Sequence, residues 1–178
     1  MSLPTERRVL IAGAGNIFFG DDAFGSEVAR ELLRQEPIPG ATIIDFGIRA
    51  QDLAYTIADG AFDAIILVDA TARGGLPGTL YLIEPVVDEV QDGNEGDLVN
   101  AHGMNPVRAL QMIRALGGHC EKLYVVACEP EVLETEALGL SEVVQAAVPP
   151  ALEMIRSLAH DLVQRGEPAL QNSHAGIN

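Results

Sequence analysis

Four side chains in this 178-residue chain have the types and positions to do chemistry together: Asp22, Asp45, Asp69 and His102. Asp22 lies in a glycine-rich stretch, Gly13-x-Gly15-Asn16-x-x-x-x-Asp21-Asp22-x-x-Gly25, between a short apolar run and an amphipathic one. Asp45 and Asp69 close apolar runs over residues 41–46 and 64–68, and His102 sits just ahead of a helical pattern that begins at Pro106. Two carboxylates and one imidazole form an open O/O/N set, suited to Ni²⁺ or Zn²⁺ with positions left for water or substrate. Each residue also has an ordinary reading. Asp22 suits an N-cap or the first turn of a helix, where the dipole favours an acid. Asp45 and Asp69 suit the polar ends of strands, and His102 a loop without a ligand. Spacing alone leaves both readings open.

The glycine stretch has the layout of a phosphate loop but the wrong chemistry. Such a loop turns backbone N–H groups toward an anion at a helix N-terminus, and Asp21 and Asp22 would repel that anion. A dinucleotide fingerprint fails for the same reason. Gly13 and Gly15 supply two glycines and Asp45 could stand in for a ribose-binding acid, but Phe18 occupies the third glycine position. A dinucleotide-binding module therefore remains only a distant alternative. No nucleophile elbow, zinc-protease helix or nucleotide-phosphate motif is present. His119, His160 and His174 have no partners in the pattern, and Cys128, which follows an apolar run, reads as a buried thiol.

The elements that must carry these residues alternate. Apolar runs at 8–12, 41–46, 64–68, 79–83 and 122–127 read as strands. Patterns at 22–35, 51–58, 106–116 and 141–164 read as helices, with Pro149 and Pro150 breaking or restarting the last. Alternation of this kind means an α/β layered sheet, mostly parallel, with strands covered on both faces. If strand one lies between two and three, the three acids gather at the carboxyl ends of the strands, where open α/β sheets bind ligands. The 70–78 connection is too short for a parallel crossover. Strand 79–83 is therefore expected to run antiparallel to strand three, at or near a sheet edge. Residues 84–101, with five acids from Asp88 to Asp97, read as a mobile acidic loop.

Composition bounds the rest. The chain is expected to form one domain over residues 1–165, with 166–178 a flexible C-terminal tail. A formal charge of −15 argues against nucleic acid and anionic membrane surfaces as partners. No apolar window is long enough to span a bilayer, and no secretory leader is evident. Cys120 and Cys128 lack metal-site spacing and read as the reduced thiols of a cytoplasmic protein.

The glycine stretch with its paired acids, the strand-end acid in Ile65-Ile66-Leu67-Val68-Asp69, and a later histidine before a helix together resemble the hydrogenase maturation endopeptidases. The likeness runs from about Val9 to the final helix. It implies a three-layer α/β/α sandwich with a five-stranded, mostly parallel sheet and one antiparallel strand. It also implies an endopeptidase that removes a C-terminal extension from the large-subunit precursor of a [NiFe] hydrogenase after nickel insertion. Carried over residue by residue, Asp22, Asp69 and His102 become metal ligands and Asp45 a further important acid, the candidate general base. The nickel would arrive with the precursor, with Zn²⁺ a possible substitute. The turn after Asp45 (Phe46-Gly47-Ile48-Arg49) and the residues after His102 depart from the commoner family patterns, which bears on the particular hydrogenase served. A non-hydrolytic, metal-dependent checkpoint that binds the precursor is the alternative from another functional class.

Overall fold

The computed structural model describes residues 7–85, 122–133 and 136–168. Within them five strands form one sheet: β1 (Val9–Ala14), β2 (Ala41–Gly47), β3 (Ala64–Ala70), β4 (Leu80–Ile83) and β5 (Lys122–Cys128). The order is β2-β1-β3-β5-β4. The β1–β2, β1–β3 and β3–β5 pairs are parallel, and β4 pairs antiparallel with β5. Strand β4 is thus antiparallel and at the edge, as its short connection requires, but its hydrogen-bonded neighbour is β5. The connection from β3 therefore passes over the carboxyl end of β5. It is pinned there by the Thr71 N–H on the Cys128 carbonyl and the Gly78 N–H on the Glu129 carbonyl.

Helices α1 (Phe24–Arg34) and α3 (Glu142–Arg165) cover one face, and α2 (Ala50–Ala58) covers the other. Val9, Ile11, Ile66, Val68 and Val126 point to the α1/α3 side, while Leu10, Ala12, Ile65, Leu67 and Val125 point to the α2 side. Both faces of the central strands are thus buried, which is why they read as unbroken apolar runs. This is the three-layer α/β fold expected. Among the described residues, no helix is long and apolar enough to cross a membrane.

Two expectations are corrected. Pro149 and Pro150 do not break the last helix, which runs through them for 24 residues. The carbonyls that lose their donors, those of Gln145 and Ala146, belong to exposed residues where water can serve them. The buried stripe Val144, Val148, Ala151, Leu152, Ile155 continues beneath. The first helix starts later than residue 22: a 3-10 turn, Gly20–Ala23, precedes α1. Gly166 ends α3 in a left-handed conformation and its carbonyl accepts from Lys122 Nζ. The expected acidic loop beyond Pro85, the 106–116 helix, His102, His119, Cys120 and the tail from residue 169 lie outside the described residues.

The glycine stretch is a place of contact between backbones. A methyl group on Gly25 would stand 2.0 Å from the Val68 carbonyl oxygen and 2.2 Å from that of Ala14. One on Gly15 would stand 1.9 Å from the Asp22 carbonyl oxygen, at a φ of 144° that side chains avoid. The start of α1 thus presses directly on the ends of β1 and β3. Replacing Gly25 with alanine is expected to cost about 3 kcal/mol or more, since the clash is with backbone that cannot turn away. A denaturant midpoint within about 0.5 kcal/mol of the parent would contradict this contact.

Candidate metal and peptidase site

Strand order reverses at β1, with β2 on one side and β3 on the other, so a crevice opens at their carboxyl ends. The turn after β1 delivers Asp22 there, and β3 ends by delivering Asp69. Both are buried, at 5% and 2% exposure, in a position where an acid is normally neutralised or paired. Asp22 does not cap a helix: the N-cap of α1 is Ala23, with no side-chain bond. Its Oδ2 instead accepts the Asn16 N–H at 2.9 Å. Asp69 Oδ1 accepts the Ala70 N–H at 2.8 Å.

Burial, and then the charge of Asp22, hold the Asp69 carboxyl well above the usual carboxylate range, against the lowering effect of the Ala70 N–H. Two neighbouring buried acids of this kind suit a cation between them, which would offset both costs at once. Among the described residues no group of three His, Cys, Asp or Glu side chains converges to hold a metal. His102, the third ligand expected, lies outside the described residues.

Asp45 is placed differently. It pairs in register with Gly13, at the same end of the sheet. Its neighbours Ile44 and Phe46 belong to the α2 side, so its own side chain faces α1. There it accepts from Arg30 Nε at 3.0 Å and from the Gly47 N–H at 3.0 Å. Asp69 alternates to the other face, next to Val68 and Ala70 on the α1/α3 side. The structure thus brings Asp22 and Asp69 together, and sets Asp45 two strands from Asp69 on the opposite face, joined to a cation of its own.

Two other carboxylates are buried, and their roles did not stand out in the sequence. Asp21 accepts four bonds from the far end of the chain: Glu131 N–H, Val132 N–H, Ser141 N–H and Ser141 Oγ, at 2.7 to 3.0 Å. Glu129 collects the Arg73 and Gly74 N–H groups and the Tyr81 hydroxyl, which fixes the connection that follows Asp69. Burial raises the Glu129 carboxyl, but its donors from Arg73, Tyr81, Gly75 and Gly74 outweigh that and leave it below its usual range. Cys128 is a buried thiol, as expected. Burial, with Asp21 and Glu129 nearby, pushes it up to about 12, so it is no nucleophile at neutral pH.

The hydrogenase maturation protease family profile matches residues 26–158, three quarters of the chain, a span containing Asp45, Asp69 and His102. This chain belongs to the hydrogenase maturation protease family. It is 29% identical to the hydrogenase 2 maturation protease of Escherichia coli over 150 residues, which are 83% of this chain and 88% of that one. The fold of a hydrogenase maturating endopeptidase from Escherichia coli superposes with a TM-score of 0.66 at 28% identity, covering 94% of this chain and 99% of the other. A hydrogenase 2 maturation peptidase from a Thaumarchaeota archaeon gives 0.63 at 26% identity, covering 84% and 96%. As a hydrogenase maturation protease the chain is a peptidase, a processing endopeptidase for hydrogenase. The structural match takes in the glycine stretch that precedes the profile's span.

The strained acid pair has a consequence for stability. A carboxyl raised in the folded state keeps its proton where the unfolded chain has lost it. Stability therefore falls as pH rises from the ordinary value of 3.8 through the raised one. Asp69→Asn removes that loss. In the metal-free protein the variant is expected to melt about 2–6 °C above the parent at neutral pH. The gain should fade below about pH 4, where both states of the parent are protonated. A variant that melts lower than the parent at pH 7 would show that the Asp69 carboxylate is not under strain.

Proposed function

We propose that this protein removes a C-terminal extension from the large-subunit precursor of a [NiFe] hydrogenase after nickel has been inserted, in the cytoplasm, and that it recognises the nickel through Asp22, Asp69 and His102. The observation that carries this reading is the buried acid pair at the strand-order reversal, an incomplete ligand set with a built-in demand for a cation. The nickel is cargo of the precursor, already held by precursor ligands. Capture by the pair would tether the scissile bond in the crevice, where orientation supplies much of the rate. Zn²⁺ has matching ligand preferences and is a possible substitute.

The test is the intact mass of the large-subunit precursor, with and without nickel, after incubation with the protein. Loss of a C-terminal peptide from the nickel-loaded form alone is expected, and Asp22→Asn or Asp69→Asn should slow it about a hundredfold. Equal cleavage of the nickel-free precursor would overturn nickel recognition. Cleavage by protein first stripped with a chelator separates nickel as cargo from a resident catalytic ion. Persistence of activity supports the cargo reading.

Asp45 is assigned the part of general base, taking a proton from the attacking water. Its ion pair with Arg30 keeps it aimed, and its two-strand offset from Asp69 leaves room for a peptide between base and metal. Asp45→Asn is expected to lower kcat by about 10²–10⁴-fold while binding of the nickel-loaded precursor is retained. A variant of full activity would remove Asp45 from the mechanism.

A further inference from the structure

Of the two acids side by side in the glycine stretch, one is consumed by the fold. Asp21 is fully buried, and both its oxygens are occupied. Oδ1 accepts the Ser141 N–H at 2.7 Å, while Oδ2 accepts the Glu131 and Val132 N–H groups at 2.8 Å each and the Ser141 hydroxyl at 3.0 Å. Four donors and full burial commit this carboxylate to the fold. The backbone bonds point the same way: the Asp21 N–H donates to the Val132 carbonyl and the Gly20 N–H to the Ala137 carbonyl. Asp21 and Val132 therefore exchange bonds in both directions.

These contacts fix one side of the turn that carries Asp22. The other side is fixed by the Asn16 N–H on Asp22 Oδ2 and by the close approach of Gly15 to the Asp22 carbonyl. The chain between Asn16 and Ala23 is thus held on both sides of Asp22, whose charge reaches Asp69. We infer that Asp21 is a positioning residue. It locks the 3-10 turn to the 131–141 segment so that the Asp22 carboxylate is held against Asp69 for nickel. The inference rests on the proposed nickel recognition.

Asparagine at position 21 keeps the shape but turns an NH₂ group toward N–H donors, so part of the lock must open. The test is a double-mutant cycle with Asp21→Asn, Asp22→Asn and the double variant. It measures kcat/KM on the nickel-loaded precursor and, in parallel, the dissociation constant of that precursor, with folding checked by circular dichroism. If Asp21 acts through Asp22, Asp21→Asn costs about 10- to 100-fold in the parent and less than about twofold in the Asp22→Asn background. Equal cost in both backgrounds would mean that Asp21 only stabilises the fold, and would overturn the inference. Should Asp21→Asn not fold, Ser141→Ala removes one of the four donors and takes its place in the same cycle, with a smaller loss and the same dependence on Asp22. Failure of the unaltered protein to cleave or bind the nickel-loaded precursor would instead overturn the functional reading, and the inference with it.

Discussion

Helix α1 meets the sheet backbone to backbone, through Gly13, Gly15 and Gly25, and the site depends on that contact. With any side chain at these positions the helix start would stand off from the ends of β1 and β3 by the width of a methyl group or more. Asp22 would move away from Asp69 by a similar distance, and the pair would become two solvated acids. The glycines thus do here what they do in phosphate loops, allowing close approach. The result is opposite in sign, because the turn displays carboxylates where a phosphate loop displays N–H groups.

This contact explains why the topology matters. In a sheet ordered β2-β1-β3, the strand whose turn carries Asp22 is flanked by the strands that end in Asp45 and Asp69. Strand alternation then separates the roles. Asp69 and Asp45 lie on opposite faces, and it is Asp69 that feels the charge of Asp22. The other is left to Arg30 on α1. The connection that leaves β3 crosses the end of β5, and Glu129 fastens it there through backbone donors. Both strands that supply the crevice wall on this side are therefore tied at the level of the site.

Much of this was legible in the sequence. The strands announced themselves as apolar runs because both their faces are covered. The nine residues between Asp69 and Thr79 forced an antiparallel edge strand on length alone. The neighbour of that strand was not legible, since nothing local says that the chain will pass over β5 before turning down. Pro149 and Pro150 misled for a related reason: a proline's cost depends on whether the freed carbonyls are buried, and here they face water. The structural roles of Asp21 and Glu129 gave no signal because their donors lie far along the chain, 110 and 120 residues away for Asp21 and 55 to 56 for the backbone donors of Glu129.

The buried acids sort themselves by the donors they collect. Asp21 and Glu129 are surrounded by N–H and hydroxyl groups, so burial costs them little and their charge organises loops. Asp69, among the described residues, has the N–H of Ala70 and the charge of Asp22 for company. Further donors at Asp69 would stabilise the protein. The donor count therefore separates the acids that hold loops in place, Asp21 and Glu129, from Asp69, whose burial is offset by one backbone donor among the described residues.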